Sequence, residues 1–207
     1  MLRAKLCGMK TKEAVRAADV AGADFIGFIF WPGSHRFVAP SEAAALGRGI
    51  QRARKVGVFV DEAPQRVCEI AELARLDYIQ LHGHEDAAYA RRLNRPVIKA
   101  YRYGDGFSAA AANAFPADFI LVDAYRPGQA GGTGESFDWQ RAAAEIHAVT
   151  KPVLIAGGIS EANVMEAAGI FQPYGVDVSG SLEVHKEKSV EKIQSFMQKV
   201  AAWNRRH

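Results

Sequence analysis

The chain has 207 residues, 49% of them apolar, and 26 Lys and Arg against 23 Asp and Glu leave a formal charge of only +3. The basic residues are scattered, and the pairs Arg91–Arg92 and Arg205–Arg206 lie in helix-like segments, so no stripe exists for a nucleic acid to follow. Cys7 and Cys68 form neither a disulfide framework nor a zinc set, and no run approaches the roughly 20 apolar residues of a membrane span. The expectation is a cytoplasmic protein whose residues 1–207 form one domain, without nucleic-acid, membrane or metal partners.

Short apolar runs then recur along the chain: "AKLCG" from 4, "FIGFIF" from 25, "KVGVFV" from 55, "YIQLHG" from 78, "PVIKAYR" from 96, "FILVDA" from 119, "PVLIAGGI" from 152 and "GVDVSG" from 175. Rich in Val, Ile and Phe and nearly continuous in apolar character, they read as strands covered on both faces. Helix-like segments separate them. Thr11, Ser41 and Ser160 stand where they could cap "KEAVRAADVAG", "EAAALGRGIQRA" and "EANVMEAAG", each with Glu in the first turn. Pro64 sits near a first-turn position of the third helix, and the last helix repeats apolar residues at Val190, Ile193, Phe196, Met197 and Val200.

Strand starts lie 18 to 33 residues apart, which is room for a crossover helix each time. Eight such units without a composition break predict an α/β fold of the single-domain (β/α)8 TIM-barrel type with parallel strands, ranked above a doubly wound open sheet. In that fold the strand C-termini build the active site. The first run ends at Cys7, the second leads to "WPGSHRFV", the third to Asp61, the fourth passes Gln80 to "HGHE", and the sixth ends at Asp123. The seventh ends in Gly157 and Gly158, and the eighth carries Asp177 before "VSGS".

Cys7, at a rim position, is a candidate base if nearby cations stabilise its thiolate, whereas Cys68, mid-helix beside Val67 and Ile70, reads as an inert packing residue. Alternation places Lys5 on the same face as Cys7, below it inside the barrel, where it would favour the thiolate. Asp123 either pairs with Arg126 or works as an acid facing Cys7 across the mouth, its carboxyl drawn from near-dry surroundings. Gly157 and Gly158 with Ser179, Gly180 and Ser181 match the phosphate site that often follows the seventh and eighth strands. "GQAGGTGES" lacks the features of a nucleotide loop and reads as a lid. His82 and His84 read as hydrogen-bonding groups, not metal ligands. For Arg36, spacing alone leaves carboxylate binding and simple exposure equally open.

These residues resemble the phosphoribosylanthranilate isomerase family. "KLCGMKT", "GADFIGFIFWPGSHRFV", "VGVFVD", "IQLHGHE", "LVDA" with "GGTGESFDW", "LIAGGI" with Asn163, and "GVDVSGSLE" with "KS" stand in the family's order and spacing. The resemblance implies an Amadori rearrangement in tryptophan biosynthesis, acting without a cofactor on a small phosphorylated substrate as a monomer or homodimer. Residue by residue it implies Cys7 as general base toward the C2 proton and Asp123 as general acid toward the ring oxygen. It further implies Arg36 on the anthranilate carboxylate, Asp177 on sugar hydroxyls, Gln80 on the substrate, and Gly157, Gly158, Ser179, Gly180 and Ser181 on the phosphate. Two positions depart from the family: Ser179-Gly180-Ser181 replaces the common Ser-Ser-Gly, and Val184, His185 and Lys186 occupy a turn that often holds glycine. Lys99 is the residue that would suit a rival, an indole-glycerol-phosphate synthase using lysine; another phosphate-binding sugar isomerase and a non-catalytic phosphate-ligand sensor are further alternatives.

Overall fold

A computed structural model describes residues 1–104, 107–123 and 139–207. Eight parallel strands, β1 (Arg3–Cys7), β2 (Phe25–Ile29), β3 (Arg54–Phe59), β4 (Tyr78–Leu81), β5 (Val97–Arg102), β6 (Phe119–Asp123), β7 (Val153–Ala156) and β8 (Gly175–Val178), close into a barrel, with β8 paired to β1. Helices α1 (Lys12–Val20), α2 (Pro40–Gly47), α3 (Pro64–Leu73), α4 (Ala87–Ala90), α5 (Ala109–Ala114), α6 (Trp139–Ile146), α7 (Val164–Phe171) and α8 (Val190–Asn204) follow the strands in turn. The "GQAGGTGES" segment and Arg126 lie outside the described residues. No described helix is long and apolar enough to cross a membrane.

Alternation along each strand divides the apolar side chains into two cores. Phe25, Val56, Ile98, Ala100, Leu121, Leu154 and Ala156 form a separate cluster inside the barrel, while Leu6, Ile26, Phe28, Ile79, Ile120 and their neighbours pack outward under the helices. Alternate strands contribute to successive interior layers, as in this architecture generally. Phe25, Tyr78 and Phe119 of the even strands make the floor, with ring centroids 5.6–6.0 Å apart in edge-to-face pairs. Lys5, Val56, Ile98 and Leu154 come next, then Gly27, Gln80, Leu121 and Asp177, and at the top Cys7, Val58, Ala100 and Ala156.

The floor is tied by a repeated device. Asp24, Asp77 and Asp118 each precede the aromatic residue of an even strand, and their carboxylates accept from the amides of Ala4 (2.9 Å), Lys55 (2.7 Å) and Val97 (2.8 Å) on the preceding odd strand. Each carboxylate satisfies a strand-start donor that the ladder leaves unpaired.

Helix starts differ from expectation at two places. Thr11 caps α1 as its position suggested, accepting from Ala14 N, but Ser41 lies inside α2, whose N-cap is Ala39. Pro40 opens that helix, and Glu42 reaches back to accept from Ala39 N at 3.2 Å. The helix also ends at Gly47, short of the predicted stretch. Ser160 does not cap α7 either. Asn163 is its N-cap, and the Asn163 side chain instead accepts from Ser160 N (2.8 Å) and donates to Gly158 O (3.0 Å), trussing the β7 loop. After β8 comes a 3-10 turn, Gly180–Leu182, and a two-stranded hairpin, β9 (Glu183–Val184) and β10 (Glu187–Lys188), that the sequence reading did not contain.

Candidate active site

The strand ends place Cys7, Asp123, Asp177 and the β7 and β8 loops at one mouth. Cys7 is buried, 5% exposed, and the chain turns sharply after it: Gly8 has φ +78°, and the amides of Gly8 and Met9 both donate to Gly27 O. A side chain at Gly8 would run into the Arg36 side chain at 2.6 Å, so glycine serves both the turn and the close approach. Gly27 makes room inside the barrel, since a Cβ there would lie 2.9 Å from the Cys7 sulfur and 3.2 Å from Lys5 Nζ. Burial pushes the Cys7 thiol pKa up; Lys5 and Lys188 pull it down, and the net direction is upward.

Lys5 is fully buried below Cys7 and donates to Asp177 Oδ1 at 2.8 Å. Gln80, also buried, has its Nε2 3.0 Å from His82 Nδ1, and its Oε1 is buried without a partner among the described residues. Such an orphaned amide oxygen, aimed into the barrel, suits a ligand donor. His82 stands exposed at the mouth. Burial of its inner edge and the Lys5 charge lower its pKa against Asp123 and Asp177, which raise it, so the imidazole is biased neutral. It joins Asp123, Lys99, Ala100 and Arg102 around an open groove of about 580 Å³. Asp123 ends β6, its backbone carbonyl accepting from Tyr103 N at 2.9 Å.

Arg36 does not stand free. Its Nε and Nη2 donate to the two oxygens of Glu183 at 2.5 and 3.0 Å, and Lys188 donates to the same carboxylate at 2.7 Å. Burial of Glu183 raises its pKa, but the bonds from Arg36 and Lys188 outweigh it and bring the value to about 2. The Arg36 guanidinium is thus held in plane by an internal partner. Neither Glu183 nor Lys188 was among the expected site residues, although Glu183 closes the "GVDVSGSLE" stretch of the family resemblance.

At the β7 and β8 loops the hydroxyls are engaged. Ser179 Oγ donates to Cys7 O (3.0 Å) and accepts from Lys188, and Ser181 Oγ donates to Ile159 O (2.7 Å). These bonds fasten the loops to each other and to the backbone of Cys7, leaving main-chain amides as the donors for an anion. Gly157 and Gly158 are both left-handed, with φ +88° and +71°, and nothing lies within 4 Å of where a Gly158 side chain would begin. Gly180 and Ser181 open the 3-10 turn, whose first amides have no partner within it.

Lys99 lies on the outward face of β5, between the inward Ile98 and Ala100. Its Nζ donates to Gly83 O (2.8 Å) and Glu85 (3.0 Å), while Glu85 also accepts from Asp61 N and Gly83 N. This buried clamp joins the β3, β4 and β5 ends and removes the lysine that a synthase would need. His84 is bound to Asp61 at 3.1 Å. Cys68 is half-buried on α3, its sulfur directed at Arg92 O, and is less enclosed than a core thiol.

The family model of N-(5'phosphoribosyl)anthranilate (PRA) isomerase matches residues 4–199. The N-(5'-phosphoribosyl)anthranilate isomerase of Chromohalobacter salexigens is 43% identical over 204 residues, covering 96% of this chain and 94% of that protein. The crystal structure of phosphoribosyl anthranilate isomerase from Thermus thermophilus superposes with a TM-score of 0.85 at 34% identity, covering 97% of this chain and 99% of that one. A phosphoribosyl anthranilate isomerase structure in complex with reduced 1-(o-carboxyphenylamino)-1-deoxyribulose 5-phosphate gives a TM-score of 0.84 at 28% identity over 98% and 100% of the two chains. The chain belongs to the N-(5'-phosphoribosyl)anthranilate isomerase family.

Proposed function

We propose that this isomerase of tryptophan biosynthesis converts N-(5'-phosphoribosyl)anthranilate to the carboxyphenylamino-deoxyribulose phosphate by an Amadori rearrangement, with Cys7 as general base and Asp123 as general acid. The observation that carries the roles is the interior layering. Cys7 is the one acid–base group of the top layer, beside the small residues Ala100 and Ala156, and Asp123 continues the sixth strand onto the rim above them. Asp123 gives a proton to the ring oxygen as the C1–O bond breaks, leaving a C1=N iminium. The Cys7 thiolate then takes the C2 proton, and the electron pair of that C–H bond forms C1=C2 as the iminium becomes an enolamine. Proton gain at C1 and proton loss from the C2 hydroxyl yield the ketone.

The ligand of the related complex combines a carboxylate, sugar hydroxyls and a phosphate. Arg36 suits the first as a planar fork, Asp177 and the orphaned Gln80 suit the second, and the amides of Gly157, Gly158, Gly180 and Ser181, with the Ser179 turn that positions them, suit the third. The same reading takes residues 1–207 as one barrel domain.

The test is turnover of substrate generated in place, followed by loss of anthranilate fluorescence. Cys7→Ala and Asp123→Asn are each expected to lower kcat by about 10²- to 10⁴-fold while binding of the reduced ketose analogue is retained. Near-wild-type rates in both variants would remove these roles, and no decay above background in the unmodified protein would remove the activity.

A further inference from the structure

Lys5 is among the largest fully buried side chains of the described residues, and the acid–base scheme above gives it no task. An ammonium has three N–H donors, and burial without partners is costly. Asp177 Oδ1 takes one of them at 2.8 Å. Because Gly27 contributes no side chain, Nζ and the Cys7 sulfur flank the same small space, 3.2 and 2.9 Å from the point where a Cβ would stand. The ammonium thus lies between two acceptors and already bears on both: a carboxylate that is charged and a sulfur that becomes charged only when it loses its proton.

The other charged groups bearing on Cys7 are few. Lys188 on β10 approaches from the rim but is committed to Glu183 and to Ser179 O. Asp177 on β8 opposes the thiolate, and His82, just after β4, is biased neutral. Lys5 is the one cation beneath the sulfur, and its availability depends on how firmly Asp177 holds it.

We propose that Lys5 is a positioning residue that couples Asp177 to Cys7: donors from a bound ligand draw on the Asp177 carboxylate, the Lys5 ammonium that carboxylate and sulfur share shifts further toward sulfur, and the thiolate forms as a consequence of binding. The S–H bond breaks, its electron pair stays on sulfur, and the proton goes to bulk water through the open mouth. The sulfur of the free protein then remains a thiol in its buried site and gains its basicity when a polyol stands over Asp177. The inference rests on the proposed role of Cys7 as base, but its readout does not.

The coupling can be read without turnover. In Cys68→Ser protein, where Cys7 is the sole thiol, the ultraviolet absorbance of the thiolate is titrated against pH. Lys5→Met should move the midpoint up by about one unit, or tenfold less thiolate at a given pH, whereas Asp177→Asn, which releases the ammonium, should move it down by a similar amount. Adding the reduced ketose analogue should lower the midpoint of the otherwise unmodified protein and leave that of Lys5→Met in place. Shifts of the same sign in both variants, no shift in either, or an equal analogue effect with and without Lys5 would overturn the coupling. Should Lys5→Met fail to fold, Lys5→Gln takes its place in both comparisons, since the downward shift of Asp177→Asn also follows from loss of the Asp177 charge itself and does not alone report on Lys5. Persistence of turnover in Cys7→Ala would overturn the base assignment alone.

Discussion

The two ends of this barrel interior are built from opposite materials. The floor is Phe25, Tyr78 and Phe119 in mutual edge-to-face contact, each introduced by an aspartate that caps the neighbouring strand. The mouth has Cys7, Ala100 and Ala156 in its top layer, glycine at 27, and charged groups on buried stems. Apolar volume decreases toward the end where a ligand would enter, and the polar side chains of Lys5, Gln80 and Asp177 take its place in the interior layers. The difference teaches that one end supplies cohesion and the other supplies room, so mutations at the two ends should separate stability from turnover.

The sharpest way to break that separation is a pair of volume changes. Phe119→Ala removes a half-buried floor ring and should cost about 2–3 kcal/mol in urea unfolding, with kcat/KM of the remaining folded protein close to wild type. Ala100→Leu fills the groove and should do the reverse, lowering kcat/KM by about 100-fold through misplaced substrate while changing stability by less than about 1–3 kcal/mol, since the added carbons enter open space. If Phe119→Ala reduced turnover of folded protein as strongly as Ala100→Leu, the division between the ends would be false.

How far this division was visible in the sequence depends on the range of the interaction concerned. The eight strands and their terminal residues were legible because apolar runs and alternation are local properties, and Cys7, Asp123 and Asp177 followed from reading what each run ends in. Ser41 and Ser160 failed as caps because the helices begin elsewhere: Pro40 opens α2 one residue before Ser41, and α7 starts only after Asn163, whose side chain holds the β7 loop. The partnership of Arg36 with Glu183 spans 147 positions and that of Lys5 with Asp177 spans 172, so each exists only through barrel closure. Lys5 could be placed under Cys7 by parity within one strand, but its carboxylate partner could not. The aspartate–aromatic repeat at the floor was present in "GADF", "LDY" and "PADF" and went unread, since its meaning appears only once odd and even strands are known to be paired.

A second test concerns the charges at the mouth. Glu183 is lowered from 4.5 to about 2 by Arg36 and Lys188 against the cost of burial. A carboxylate with a depressed folded-state pKa binds fewer protons folded than unfolded. Its contribution is complete above the unfolded value and is lost as pH falls from about 4.5 toward 2. The stability of wild-type protein, followed by urea midpoints, should therefore drop through that window. Glu183→Gln should be less stable at neutral pH and show a flatter acid limb, whereas Phe119→Ala should keep the wild-type slope. An acid limb in Glu183→Gln as steep as wild type would mean that other carboxylates carry the effect.

The smallest expected effect lies on the hairpin that follows β8. His185 (φ +50°) and Lys186 (φ +67°) form a two-residue turn between β9 and β10 in which both central residues are left-handed, a geometry that favours Asn-Gly or Gly-Gly. A side chain in this region costs about 1 kcal/mol or more relative to glycine, partly offset by the greater freedom glycine has in the unfolded chain. Lys186→Gly should therefore raise stability by up to about 1 kcal/mol, seen as a higher urea midpoint with unchanged slope. Because β10 ends in Lys188, which holds both Glu183 and the Ser179 turn, a firmer hairpin should also leave kcat unchanged while lowering KM slightly. A rise in stability accompanied by a fall in kcat would instead mean that the strained turn takes part in the catalytic cycle, and the mouth would then be more than a rigid frame around its charges.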